Sequence, residues 1–290
     1  MRLSIGVTNY SWPSGPAKLR DELMGLARAA EDGGIDTLWV SDHLLQADPT
    51  AGPHESEMLE AYTTLGFLAA RTERLRIGTM VSAVTFRPPA LLVQAVTTLD
   101  ALTGGRAWLG VGAGYHEGEA TALGLPMPAV GERFERLEET IRIAFRMWDG
   151  DDSPFEGTHY RLGRPAVSPR PGRRPPILIG GTGERRTLRL VAEYADACNL
   201  FDIPDGGRTV GHKLAVLARH CADVGRRRAE IETTLSTRLG DGEPADDFVR
   251  RCAGMAALGI DHVIVITSGP WSGEKVATLA AAVPALRDLG

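Results

Sequence analysis

Short apolar runs alternate with amphipathic segments eight times along this chain. The runs are Leu3–Val7, Thr37–Ser41, Leu75–Ser82, Arg106–Gly112, Pro176–Gly181, Asp196–Phe201, Ile231–Leu239 and Asp261–Thr267. Their length and apolarity suit strands buried on both faces. Between them, apolar residues recur at helical spacing over Lys18–Gly33, Glu57–Arg71, Pro88–Leu102, Phe134–Trp148, Glu184–Tyr194, Lys213–Val224, Ala245–Leu258 and Glu274–Leu289. Strands that alternate with helices pair in parallel through right-handed crossovers. Eight such units in 290 residues predict one α/β domain over 1–290, a (β/α)8 TIM barrel. An open doubly wound sheet also holds eight strands, but no strict G-x-G-x-x-G follows the first strand here.

The spacing breaks once. The interval from Gly112 to Pro176 is about twice the others, and the excess forms an insertion over about 149–175. Its first half, F-E-G-T-H-Y-R-L, reads as a hairpin; its second, S-P-R-P-G-R-R-P-P, as extended chain. Such an insertion serves either as a lid or substrate loop or as a packing excursion.

Composition removes whole classes of function. With 32 basic and 37 acidic residues the net charge is −5, so no general attraction to nucleic acid or anionic membrane exists. No apolar stretch approaches the ~20 residues of a membrane span. The three cysteines, Cys198, Cys221 and Cys252, form no C-x-x-C pair and read as buried thiols in a reducing cytoplasm. The histidines lack ligand spacing, and no metal site is expected.

Barrel chemistry sits at the C-terminal ends of the strands. That rule selects Ser41-Asp42-His43, Thr79-Met80-Val81, the Gly112–Glu117 stretch and Gly180-Gly181-Thr182-Gly183. The last opens a helix at Glu184-Arg185-Arg186. Glycine turns and helix N-termini attract anions, and arginines in a first turn oppose the helix dipole unless an anion is there. A phosphate site follows, against the plainer reading of a tight turn with exposed arginines. Gly110, Gly112 and Gly114 let a flat ligand approach the backbone closely. His43 exchanges protons near neutral pH, and the adjacent Asp42 is the carboxylate expected to orient it.

Over nearly its whole length the chain resembles the luciferase-like monooxygenase superfamily, in particular its coenzyme F420 (deazaflavin)-dependent branch. The motifs are W-V-S-D-H at 39–43, R-I-G-T-M-V at 76–81, the F-R-P-P-A to G-V-G-A-G block at 86–114, and G-L-P-M with R-F-E-R-L-E-E at 124–139. P-I-L-I-G-G-x-G at 176–183 and A-E-Y-A-D-A-C-N at 192–199 follow in the same order. The resemblance implies a barrel whose mouth holds a tricyclic ring. His43 and Asp42 would face the ring, and Thr79, Met80 and Val81 would underlie it, with a non-prolyl cis peptide at Met80–Val81. Gly112, Gly114 and Tyr115 would line the cofactor, and Gly180, Gly181, Thr182, Gly183 and Arg185 would hold its phosphate. His43 and Tyr115 are the catalytic candidates. A homodimer formed through early helices is implied as well.

Two positions depart from the branch's sugar-phosphate dehydrogenases. Tyr115 stands where an acidic residue follows the G-x-G, and Ala47 stands where a tryptophan follows the histidine. The resemblance thus carries hydride transfer to or from a small organic substrate without carrying sugar-phosphate oxidation. Coenzyme F420 has a phosphate and carboxylates in its tail, for which Arg170, Arg173 and Arg174 are further candidate partners. FMN is the alternative cofactor, with reduced flavin and oxygen as the chemistry. A flavin- or deazaflavin-binding protein without turnover is a second alternative. A phosphosugar isomerase or lyase would need a lysine or paired acids at strand ends, and Lys18, Lys213 and Lys275 lie at none.

Overall fold

The computed structural model describes residues 1–289. Eight parallel strands close into a barrel: β1 (Arg2–Val7), β2 (Thr37–Val40), β3 (Arg76–Thr79), β5 (Ala107–Gly112), β8 (Ile177–Gly180), β9 (Ala197–Phe201), β10 (Glu232–Arg238) and β11 (His262–Ile266). Closure comes from β3 pairing β5, with Ile77 opposite Ala107, after β1 has paired both β2 and β11. A two-residue strand, β4 (Ser82–Ala83), extends the β5 edge. The (β/α)8 expectation holds.

The helices are α1 (Leu19–Asp32), α2 (Ala61–Ala69), α3 (Pro89–Thr103), α4 (Glu117–Leu123), α5 (Val130–Asp149), α6 (Thr187–Tyr194), α7 (Arg208–Asp223), α8 (Ala245–Ala257) and α9 (Gly273–Arg287). Several differ from the sequence reading; α5 and α7 begin four and five residues earlier than expected, at Val130 and Arg208. Helix α2 starts at Ala61, because Glu60 takes an extended backbone and caps it by accepting from the Thr63 amide at 2.7 Å. Helix α4 was not anticipated; one apolar turn is too short to show a period. Helix α6 starts at Thr187, so Arg185 and Arg186 lie in the preceding turn and not in the first helical turn.

The long insertion runs where topology sends it. A chain leaving a helix must return to the N-terminal end of the next strand, which in a parallel barrel is the face away from the chemistry. The predicted hairpin forms as β6 (Phe155–Glu156) against β7 (Arg161–Leu162) and lies on α5, where Glu139 accepts from the amides of Thr158 and Tyr160 at 2.6 and 2.9 Å. The Pro- and Arg-rich half then crosses the bottom of the barrel. Arg170, Arg173 and Arg174 border a cavity there beside Arg2, Arg76 and Trp108, all at or near strand starts. Arg174 is paired with Asp196 at 2.6 Å. The lid reading is therefore wrong, and these arginines cannot reach a ligand at the mouth.

Inside the barrel, Trp39, Trp108, Leu178, Ala197 and Ile264 form an apolar plug, with Met80 and Val81 packed above it. The indoles of Trp39 and Trp108 lie 5.5 Å apart. Below, the plug is sealed by polar pairs: His262 contacts Ser4 Oγ at 2.5 Å through Nε2 and Glu232 at 2.7 Å through Nδ1. The plug blocks any passage and gives the upper end a firm floor.

That floor depends on close backbone packing. The Thr79 hydroxyl donates to the Gly110 carbonyl at 2.9 Å, and a Cβ on Gly110 would run into the Thr79 carbonyl. Gly110→Ala is expected to lower stability by about 3 kcal/mol or more, since backbone has no rotamer with which to yield. Gly66→Ala, in α2 with open space around it, should be neutral or stabilising by ~1 kcal/mol. Denaturant unfolding of both variants checks this; equal effects would contradict it.

Candidate active site

A cavity of about 440 Å³ opens at the C-terminal ends of the strands. Its floor is Met80 and Val81, joined by a cis peptide bond as expected. The neighbouring glycines play a different part from the one their sequence suggested. A Cβ on Gly112 would lie 2.9 Å from Val81 Cγ2, and one on Gly180 would lie 2.8 Å from the same atom. Their missing side chains thus seat Val81, and Val81 in turn is what a ligand would rest on.

His43 sits at the rim, one-fifth exposed. Its Nδ1 contacts the Glu119 carboxylate at 2.6 Å. The other Glu119 oxygen accepts from the amides of Leu44 and Leu45 at 2.5 and 3.0 Å. An ionised carboxylate only accepts, so Nδ1 carries the proton and Nε2 is left to exchange one. The Tyr115 hydroxyl lies 3.4 Å from that Nε2. Burial pushes Glu119 up, but the hydrogen bonds from His43, Leu45 and Leu44 and the charge of His43 outweigh it and hold the carboxyl below its usual range. Burial raises Tyr115, with the Glu119 and Asp48 charges adding to it, so Tyr115 is an O–H donor at neutral pH.

Asp42 does not orient His43. Its carboxylate is fully buried and gripped by both Arg87 nitrogens, and Arg87 is held in turn by Glu60. Adjacent residues in extended chain point to opposite sides, which is why the neighbour in sequence is not the partner in space. Glu119 takes that place, seventy-six residues away. It is positioned by α4, whose N-cap is the His116 side chain accepting from the Glu119 amide at 2.9 Å. The signal in the sequence was a His-x-x-Glu cap pattern just past the glycines.

The other candidates separate into three groups. Met80, Val81, Gly112, Gly114, Tyr115, Gly180 and Gly181 all border the cavity. Thr79 is completely buried beneath the floor, its hydroxyl used by Gly110, and Thr182 borders neither the cavity nor the groove beside it. Gly183 and Arg185 line that adjoining groove, which shares Phe134 with the cavity. In it, Glu184 is matched by Lys213 at 2.6 Å, while neither Arg185 nor Arg186 has an ion-pair partner among the described residues. The groove is therefore cationic. Ser41, selected with the strand-end trio but given no role, and Gln46, which went unnoticed, are buried at the cavity with Oγ and Nε2 lacking a hydrogen-bond partner.

The luciferase-like monooxygenase family matches residues 1–240. The chain belongs to that family. An F420-dependent glucose-6-phosphate dehydrogenase of Microbacterium testaceum is 36% identical over 220 residues, covering 76% of this chain and 64% of that enzyme. One of Nocardia farcinica is 38% identical over 230 residues, 77% of this chain and 66% of its own. The chain thus matches slightly under two thirds of these relatives' length. Among solved structures, an F420-dependent secondary alcohol dehydrogenase bound to an F420–acetone adduct superposes with a TM-score of 0.81 at 18% identity, covering 99% of this chain and all of that one. A monooxygenase of Streptomyces bottropensis gives 0.81 at 19%, over 98% and 99%. These likenesses establish the luciferase-like barrel. No described helix is long and apolar enough to cross a membrane, and no metal-ligand cluster occurs among the described residues.

Glu119→Ala leaves His43 Nδ1 and two amides without an acceptor and should cost about 3 kcal/mol. Because the folded carboxyl titrates below its unfolded value, its stabilisation is present above the ordinary carboxylate pKa of ~4.3 and lost as pH falls through the lower folded value. Denaturant unfolding should therefore separate wild type from Glu119→Gln at pH 7 and bring them together toward pH 3. A constant gap across that range would contradict the assignment.

Proposed function

We propose that this chain is a coenzyme F420-dependent oxidoreductase that moves a hydride between the deazaflavin and a small organic substrate. The observation that carries the proposal is one juxtaposition. An apolar floor and a histidine at its rim share one cavity in a luciferase-like barrel, and a cationic turn lines the groove that adjoins it at Phe134. The relatives that match most of the chain are named for the same coenzyme.

The residues present fit the group. Val81 and Met80 would lie under the ring, and Ser41 Oγ and Gln46 Nε2 are buried polar atoms in want of partners. The turn from Gly181 to Arg186, with free arginines, suits the phosphate. When bound, the deazaflavin supplies a two-electron hydride acceptor or donor. The chain supplies the rest. Nε2 of His43 takes the proton released by a substrate being oxidised, or returns it in the reverse direction. Glu119 keeps Nδ1 protonated and stabilises the imidazolium that forms. Tyr115 offers a hydroxyl beside Nε2 to hold the substrate oxygen. Met80, Val81 and the plug beneath keep water from the floor, which favours hydride over solvent exchange.

Fluorescence titration with oxidised F420 and with FMN tests the cofactor; F420 should bind and FMN should bind at least tenfold more weakly. Arg185→Ala combined with Arg186→Ala should weaken F420 binding by about tenfold or more. His43→Ala should cut turnover by ~10²–10⁴ while leaving F420 binding within a few-fold. Preferential FMN binding with oxygen consumption, or unchanged turnover without His43, would contradict the reading.

A further inference from the structure

Charges around the cavity bear on which substrates it can take. Each is already matched inside the protein. Among the described residues Arg238 is the one arginine on the lining; it donates to Asp48 at 2.8 Å and to the Thr267 carbonyl at 2.8 Å. His43 answers to Glu119. His116 accepts through Nδ1 from the Glu119 amide, so in this arrangement that ring is neutral. No lysine is among the described residues that border the cavity. The carboxylates there are Asp42, bound by Arg87, and Asp48, which also accepts from the amide and hydroxyl of Thr50. Burial pushes Asp48 up, but those bonds and Arg238 outweigh it, so it stays ionised. The rest of the wall carries no charge: Met58, Met80, Val81, Phe86, Phe201 and Ile266 are apolar, and Ser41, Gln46, Asn199 and Ser236 are neutral polar residues.

A phosphate or carboxylate brought into this space would lose water and meet no unmatched cation, with Asp48 close by. Such burial is costly without a partner. The unpaired arginines, Arg185 and Arg186, lie in the groove assigned above to the phosphate of the coenzyme. One anion seat cannot serve two phosphates.

From this we infer that the substrate is uncharged: a small neutral alcohol or the carbonyl compound derived from it, and not a sugar phosphate. The inference rests on the F420 reading. In the oxidising direction the carbinol C–H bond breaks and its electron pair leaves as hydride to the oxidised deazaflavin. The O–H proton passes to Nε2 of His43 and the C=O bond forms. The alcohol loses two electrons and the deazaflavin gains them. In this setting the Tyr115 hydroxyl and Nε2 of His43 are the hydrogen-bonding pair offered to an alcohol oxygen.

The test uses the purified chain loaded with F420, followed by deazaflavin absorbance for turnover and by its fluorescence for binding. Glucose and glucose 6-phosphate differ only in the phosphate, and cyclohexanol tests an apolar neutral alcohol. Cyclohexanol should exceed glucose 6-phosphate in kcat/KM by a hundredfold or more, and the phosphate should give glucose no advantage. Glucose 6-phosphate turned over tenfold better than glucose would overturn the inference while leaving the F420 reading intact. Loaded protein that neither turns over nor responds in fluorescence to cyclohexanol and its ketone would overturn it too. Absence of any F420 binding would remove the reading and the inference together.

Discussion

Val81 fills a notch that Gly112 and Gly180 leave at the top of the barrel, and the candidate site is built on that contact. Three strands meet there. The end of β3 turns inward at Met80–Val81, while β5 and β8 give up their side chains to receive it. The indole plug below prevents the floor from sinking. A larger residue at either glycine would displace Val81, and with it the surface against which a planar ligand would lie.

The rim is organised by a single carboxylate. Glu119 joins α4 to the loop after β2, since its two oxygens serve the His43 ring and two backbone amides at once. Holding the histidine tautomer and holding the loop are thus one interaction. This couples the orientation of the His43 ring to the local stability of the mouth. Farther round, Asp48 with Arg238 and Glu55 with Asn9 tie the 44–60 segment to the ends of β10 and β1.

The barrel was legible because its evidence is periodic and repeated: eight buried strands separated by amphipathic helices leave few alternatives. The glycine positions were legible as places of close approach, although not whose approach, because the sequence does not show that Val81 rather than a ligand occupies the gap. The Asp42–His43 pairing misled for a reason of geometry. Neighbours in an extended segment face apart, and the true partner stands on a helix too short to leave a period. The arginines of the insertion misled for a reason of topology. A segment between a helix and the next strand belongs to the bottom of the barrel, and this was deducible from the order of the elements alone. Ser41 was legible as a strand-end residue, but neither its unpartnered hydroxyl nor the unpartnered amide nitrogen of Gln46 could be read, because an unpartnered buried atom is a property of packing.

The most direct measurement of the central claim is a crystal structure of the protein grown with oxidised F420. The account predicts the ring stacked on Val81 in van der Waals contact, Nε2 of His43 facing its reactive edge, and the phosphate in the turn from Gly181 to Arg186. A ring found elsewhere, for instance in the arginine-lined cavity at the opposite end beside Arg76 and Trp108, would contradict it.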